Sequence, residues 1–505
     1  MGPASRPAHF LIAVRNKVQL VTYVDRLGGT LPGLRAILEG PLEGLFGGVH
    51  LLPFFSPYDG ADAGFDPEDH TSVDPRLGGW QDVQGLGASL ETVVDVIVNH
   101  VSADAPQFRD YLQHGQGSRY ADMFLTLSTV FPGGASEEEL LALYRPRPGL
   151  PFSAFTIAGA ERRLVWTTFS SAQIDIDVHS RQARDYLTSV LERLAASNVA
   201  MIRLDAVGYA VKTRGTASFM TAQTFEFIDD LTKQARSLGL EVLVEVHSHF
   251  RQQVEVGRRV DWVYDFALPP LIVHSLRSGD GAALRRWLDI RPRNAVTVLD
   301  THDGIGVVDV GADSTDKSLA GLLGPEDIDQ LVTYMHANSN GTSRRATGAA
   351  ASNVDLYQVN CTFYDALGCD DQRYLLARLL QFFTPGIPQV YYVGLLAGSN
   401  DMELLERTGV GRDVNRHYYT EAELRQALDR PVVQALTRLI RFRNAHPAFD
   451  GEFSASGRAS ALTLTWRRDD DWAVLSANLA AGAYSLTYSY EGTERTTGDV
   501  GNLPY

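Results

Sequence analysis

The chain has 505 residues, 44% of them hydrophobic and 21% charged, the composition of a globular protein too long for one ordinary core. Its 45 Lys and Arg against 61 Asp and Glu leave a net charge of −16, a field that repels nucleic acid and anionic membranes. Two cysteines, Cys361 and Cys369, exclude a disulfide framework and read as buried free thiols of a cytoplasmic protein.

In chain order, the apolar run at 10–14 is shorter than a signal-peptide core, and no stretch approaches the ~20 apolar residues of a membrane helix. Short, nearly unbroken apolar runs then fall at 18–23, 48–53, 93–98, 199–204, 240–246, 262–266, 295–299 and 388–393. Strands buried on both faces read this way. Helical periodicity lies between them at 182–196, 219–238, 282–288 and 372–383. The alternation predicts an α/β fold, a (β/α)8 TIM barrel; a doubly wound open sheet is the rival, but no dinucleotide fingerprint follows the first strand. Two gaps are too long for simple loops. The expected division is a barrel from 1–97, 180–304 and 369–448, with loop-rich subdomains inserted at 98–179 and 305–368. Alternating segments at 462–466, 472–476 and 485–488 predict a small antiparallel β domain over 449–505. Both insertions leave the carboxyl end of a barrel strand, the face that carries barrel active sites.

Chemistry-bearing residues collect at those strand ends. The third strand ends in Asn99 and His100. The fourth carries Arg203 and Asp205 on one side, with Gly208 close behind. Such a pair is costly to bury unless it is satisfied or used. An arginine beside a carboxylate lowers its pKa, which suits a nucleophile. The fifth supplies Glu245 between Val244 and Val246, where desolvation should raise a carboxyl toward a usable general acid. The seventh supplies His302 and Asp303. A structural histidine or ion pair explains any one of these alone. Three carboxylates on separate strand ends are the material of a glycosidic-bond enzyme.

Segments 95–100, 203–209, 243–248 and 298–304 resemble the four conserved regions of glycoside hydrolase family 13, the α-amylase family, on strands three, four, five and seven. The resemblance implies Asp205 as nucleophile, Glu245 as general acid/base and Asp303 as a third carboxylate gripping substrate hydroxyls. Arg203, His100 and His302 would hold hydroxyls and orient the carboxylates. The family retains anomeric configuration, which sets the two reacting carboxyl groups about 5–5.5 Å apart.

A narrower resemblance, to the sucrose-cleaving phosphorylases of that family, covers nearly the whole chain. It is carried by segments 16–23, 60–67, 144–149, 298–306, 349–358, 388–394 and 411–416. It implies Asp62 and Arg412 on the far hydroxyls of one glucosyl ring and Phe65 as an apolar wall, with Tyr144, Phe169 and Tyr209 among the substrate-binding residues. The implied partners are sucrose, inorganic phosphate, fructose and α-glucose 1-phosphate, in a homodimer that needs no cofactor. No metal is expected, although Asn99 stands where many amylases have a calcium ligand.

To favour an anion over water, the acceptor site needs fixed positive charge. Arg147, in the proline-stiffened run that also holds Arg145, is the expected source, with His247, Tyr357 and Gln358 assisting. Asp355, Tyr357 and Gln358 lie in a loop that resembles one which, in the family, switches between fructose and phosphate. Asp355 should repel a 6′-phosphate, which favours plain sucrose; Arg344 and Arg345, turned inward, would hold a phosphorylated or carboxylated acceptor. A sucrose hydrolase and a catalytically dead binding barrel are the remaining alternatives. The proline–arginine run argues against the first, and the retained carboxylates argue against the second.

Overall fold

The computed structural model describes residues 15–146, 149–313, 316–348 and 357–505. Eight parallel strands close into a barrel: β1 (Gln19–Thr22), β2 (Gly48–Leu51), β3 (Glu91–Ile97), β4 (Met201–Asp205), β5 (Glu241–Val244), β6 (Trp262–Asp265), β7 (Ala295–Thr297) and β8 (Ile387–Tyr391). Each pairs with its neighbours in sequence order, and β1 pairs with β8 to complete the ring. All eight overlap the apolar runs, because strands covered inside by the barrel core and outside by helices have no polar face.

Helices Arg181–Ala195, Ala222–Ser237, Ala282–Ile290 and Asp371–Phe383 fall where the periodicity puts them. Their starts follow capping chemistry: Ser180 accepts from the Ala183 amide and Thr221 from the Thr224 amide. Between β3 and β4 the chain forms a hairpin, Phe152–Ile157 with Glu161–Trp166, and a short strand Gln173–Asp175 paired with His100–Ser102. The second insertion differs from its loop-rich expectation. It contains a 14-residue helix, Pro325–Asn338, begun by a proline with two acids in its first turn. Past the barrel, β9 (Glu452–Arg458), β10 (Ala461–Arg468), β11 (Asp471–Asn478), β12 (Ala483–Tyr490) and β13 (Thr493–Thr497) form an antiparallel sheet in sequence order. Trp466 ties it to the barrel by donating its indole N–H to the Phe383 carbonyl at 2.8 Å.

Both cysteines are free, but only Cys361 is buried. Cys369 is exposed because it sits in a turn with φ 55 just before helix Asp371–Phe383. Among the described residues, no helix is long and apolar enough to cross a membrane.

Candidate active site

Strand alternation turns Arg203 and Asp205 of β4 to the same side. Immediately after Asp205 the chain turns through Ala206 in the left-handed region (φ 54) into the tight turn Val207–Tyr209. Only glycine fits at 208: a Cβ there would lie 2.7 Å from the Phe219 ring.

Arg203, 2% exposed, is the hub of the site. One terminal nitrogen donates to Asp95 and, at 3.0 Å, to Asp205 Oδ1; the other stands 3.0 Å from Glu245 Oε1. Residues from β3, β4 and the end of β5 therefore converge on one guanidinium. Beneath them, His50 Nε2 lies 3.1 Å from Asp95, and His50 Nδ1 is linked through the Tyr264 hydroxyl to Gln389 and then Gln19. This buried polar network fixes Arg203 from below. Although burial acts upward on Asp95, Arg203 and His50 hold it down at about 2.

The sequence predicts that Arg203 holds Asp205 below the ordinary carboxylate range. In the structure, burial outweighs Arg203 and pushes Asp205 well above that range, with repulsion from Glu245, Asp95 and Asp303 adding to the rise. One guanidinium shared among several carboxylates cannot offset the desolvation of each. The cluster retains a proton that isolated carboxylates would release.

Asp303 shows the opposite balance. Burial acts upward, but His302 and then the Arg412 and Arg416 guanidiniums hold it well below its usual value. Arg412 bridges Asp303 Oδ1 at 2.7 Å and Asp62 Oδ1 at 2.5 Å. Arg416, buried, fixes the segment by donating to the His302 carbonyl at 2.9 Å. The Asp62 loop is pinned by Asp66, which accepts from the Ala61 and Asp62 amides and is pushed up to about 6 by burial. The Phe65 ring stacks on His302 at 4.7 Å, and His100 contacts the Phe65 carbonyl at 2.9 Å. Burial pushes His302 down to about 3, so it is neutral at pH 7.

On the opposite flank, one side-chain donor or acceptor atom from each of Glu245, His247 and Asp303 lies within 4.8 Å of the others. The Gln358 amide reaches His247 Nε2 at 3.3 Å, and the Tyr357 hydroxyl donates to the His247 carbonyl at 3.4 Å. Gln358 is carried there by a two-residue strand pairing of Gln358–Val359 with Ile305–Gly306. Tyr144, Phe169 and Tyr209 form an aromatic group that meets His100: Phe169 lies 5.4 Å from His100 and 5.1 Å from Tyr209, and Tyr144 lies 6.1 Å from Tyr209. The expectations for Arg147 and Asp355 lie outside the described residues. Arg344 and Arg345 are exposed, and Arg345 pairs with Glu406 at 2.9 Å on the surface.

Sequence reasoning misses Lys212. Its ammonium is buried, 2.7 Å from Asn99 Oδ1 and 2.6 Å from Asp175 Oδ2, and it also meets the Tyr209 carbonyl. It joins the end of β3, the first insertion and the turn after Asp205 at one point. Lys212→Met should leave the fully buried Asp175 without its cation and destabilise the protein by about 3–5 kcal/mol. A lowered thermal unfolding midpoint checks this; an unchanged midpoint overturns the clamp.

Three carboxylates at the carboxyl ends of strands in a closed (β/α)8 barrel, one of them ion-paired through Arg412 to Asp62, fit an α-amylase-type enzyme of glycosidic bonds. Residues 29–258 match the family model described as the alpha amylase catalytic domain. The chain is 58% identical to a sucrose phosphorylase from Agrobacterium vitis, covering 94% of this chain and 98% of that one. It is 56% identical to a sucrose phosphorylase from Bifidobacterium adolescentis, covering 92% of each. The crystal structure of sucrose 6F-phosphate phosphorylase from Thermoanaerobacter thermosaccharolyticum superposes with a TM-score of 0.89 at 39% identity, covering 96% of this chain and 99% of that one. The chain belongs to the sucrose phosphorylase family of α-amylase-type enzymes.

Proposed function

We propose that this enzyme transfers the glucosyl unit of sucrose to inorganic phosphate, giving α-glucose 1-phosphate and fructose with net retention. The observation that carries the reading is the single Arg203 guanidinium holding Asp205 and Glu245, with Asp303 close to Glu245 and ion-paired through Arg412 to Asp62. Glu245 protonates the glycosidic oxygen while Asp205 attacks the anomeric carbon, and fructose leaves. A phosphate oxygen then bonds to the anomeric carbon and passes its proton to Glu245, as the Asp205 ester bond breaks and its electron pair returns to the carboxylate. Asp62 and Arg412 hold the far hydroxyls, Phe65 faces the ring, and His247, Tyr357 and Gln358, with Arg147, receive the acceptor.

Plain sucrose is favoured over a phosphorylated donor because Arg344 and Arg345, the basic pair nearest the acceptor loop in sequence, face solvent. The two free thiols support a cytoplasmic location. Product analysis tests the reading: sucrose with phosphate should give α-glucose 1-phosphate and fructose in equal amounts, faster than sucrose 6′-phosphate is consumed. Glucose release at a rate indifferent to phosphate would make it a hydrolase, and preference for the phosphorylated sugar would move it to the neighbouring specificity.

A further inference from the structure

Asp309 has no part in the chemistry above, yet it is fully buried beside the acceptor flank. Its Oδ2 lies 2.9 Å from His247 Nδ1, while Oδ1 accepts from the Ser248 amide at 3.0 Å and from Gln253 Nε2 at 3.1 Å. Room for this arrangement depends on Gly306, where a Cβ would meet Asp309 Oδ2 at 2.3 Å and His247 Nδ1 at 3.2 Å. The His247 ring is sandwiched in orientation by Phe266, stacked at 3.9 Å, and by the edge of Tyr357 at 5.6 Å. With Nδ1 committed to Asp309, Nε2 is the only ring atom left for the cleft. It lies 3.7 Å from Glu245 Oε1 and 3.3 Å from the Gln358 amide.

We propose that Asp309 is a positioning residue for phosphate capture: it locks the His247 ring so that Nε2 faces the acceptor phosphate beside Glu245. This rests on the phosphorylase reading above and adds to it a carboxylate that touches neither substrate. The groups facing His247 are Asp309, Glu245, Asp303 and Tyr357, and the three carboxylates favour its cationic form. Burial acts downward, but Asp309 outweighs it and holds the imidazole above its ordinary value. An imidazole held toward its cationic form at this spot favours an anionic acceptor over a neutral one.

The glucosyl-enzyme is captured either by phosphate or by water, so the ratio of α-glucose 1-phosphate to glucose isolates the acceptor step. Asp309→Asn keeps an acceptor for Ser248 and Gln253 but removes the charge facing Nδ1. The ratio at fixed phosphate should fall at least about tenfold, the loss expected for one charge-assisted hydrogen bond. Mere loosening of the fold would lower both products alike and leave the ratio unchanged. His247→Gln should reduce the ratio comparably, and the double variant should be no worse than either single one. An unaltered ratio in Asp309→Asn, or additive losses in the double variant, overturns the inference. If Asp309→Asn does not fold, Gly306→Ala, which displaces the same pair, must lower the ratio or the inference falls. Absence of α-glucose 1-phosphate from the parent enzyme would instead sink the phosphorylase reading.

Discussion

Asp205→Asn should abolish phosphorolysis and transglucosylation together, lowering turnover on sucrose by at least about 10⁴-fold, since loss of a nucleophile removes the covalent route itself. The variant should nevertheless be at least as stable as the parent at neutral pH. The folded-state pKa of Asp205 is raised by burial and by neighbouring carboxylates, although Arg203 opposes this. A carboxyl raised in the folded state binds its proton there more tightly than in the unfolded chain. Its contribution is therefore favourable at low pH and is lost as pH rises from the ordinary carboxylate range to the folded value. Asparagine removes that liability, so the unfolding midpoint should rise at pH 7, with the gain shrinking as pH falls toward the ordinary carboxylate range. Steady-state phosphorolysis and calorimetry on the same preparation check both halves. Appreciable turnover on sucrose would place the nucleophile elsewhere; an inactive and destabilised protein would show that Asp205 also supports the fold.

Such a balance of burial against charges brought from separate strands is not carried by local sequence. The barrel strands were legible because burial on both faces leaves a short apolar run such as Val93 to Val98, broken only by Asp95 and bounded by polar residues. The helix Leu268–Ser278 was not: the adjacent prolines Pro269 and Pro270 in its first turn read as a break, and its residues through Leu276 are all buried. Pro325–Asn338 carried readable start signals, Pro325, Glu326 and Asp327, but they were masked by a surrounding segment rich in glycine and polar residues.

In the site, Asp205, Glu245 and Asp303 stood out because carboxylates at the ends of apolar strands are conspicuous. Their supports were invisible. Lys212 and Asn99 are 113 residues apart, and His247 and Asp309 are 62 apart, so only the closed barrel brings each pair together. The same limit explains the reversed expectation for Asp205: the sequence shows the adjacent Arg203, whereas the net shift sums burial and charges from three other strand ends.

Glu245→Gln separates the proton from the nucleophile. On sucrose, where the fructose oxygen must be protonated to leave, turnover should fall by about 10²–10⁴-fold, the usual worth of a positioned general acid. With α-glucosyl fluoride the leaving group departs without a proton, so Asp205 should still be glucosylated at a rate approaching that of the parent. Glutamine keeps an oxygen for Arg203, which in the parent stands 3.0 Å from Glu245 Oε1, so the cluster geometry should survive the change. Capture by water should then be slow, because no carboxylate remains to take its proton, so without phosphate the glucosyl-enzyme should accumulate. Mass analysis of the quenched protein would detect one added glucosyl unit on the segment containing Asp205. Azide, an anion that attacks without needing its proton removed, should release it as a glucosyl azide. If fluoride gave no labelled enzyme, Glu245 would have to act on something other than the leaving group, and the division of labour between the two residues gathered by Arg203 would be wrong.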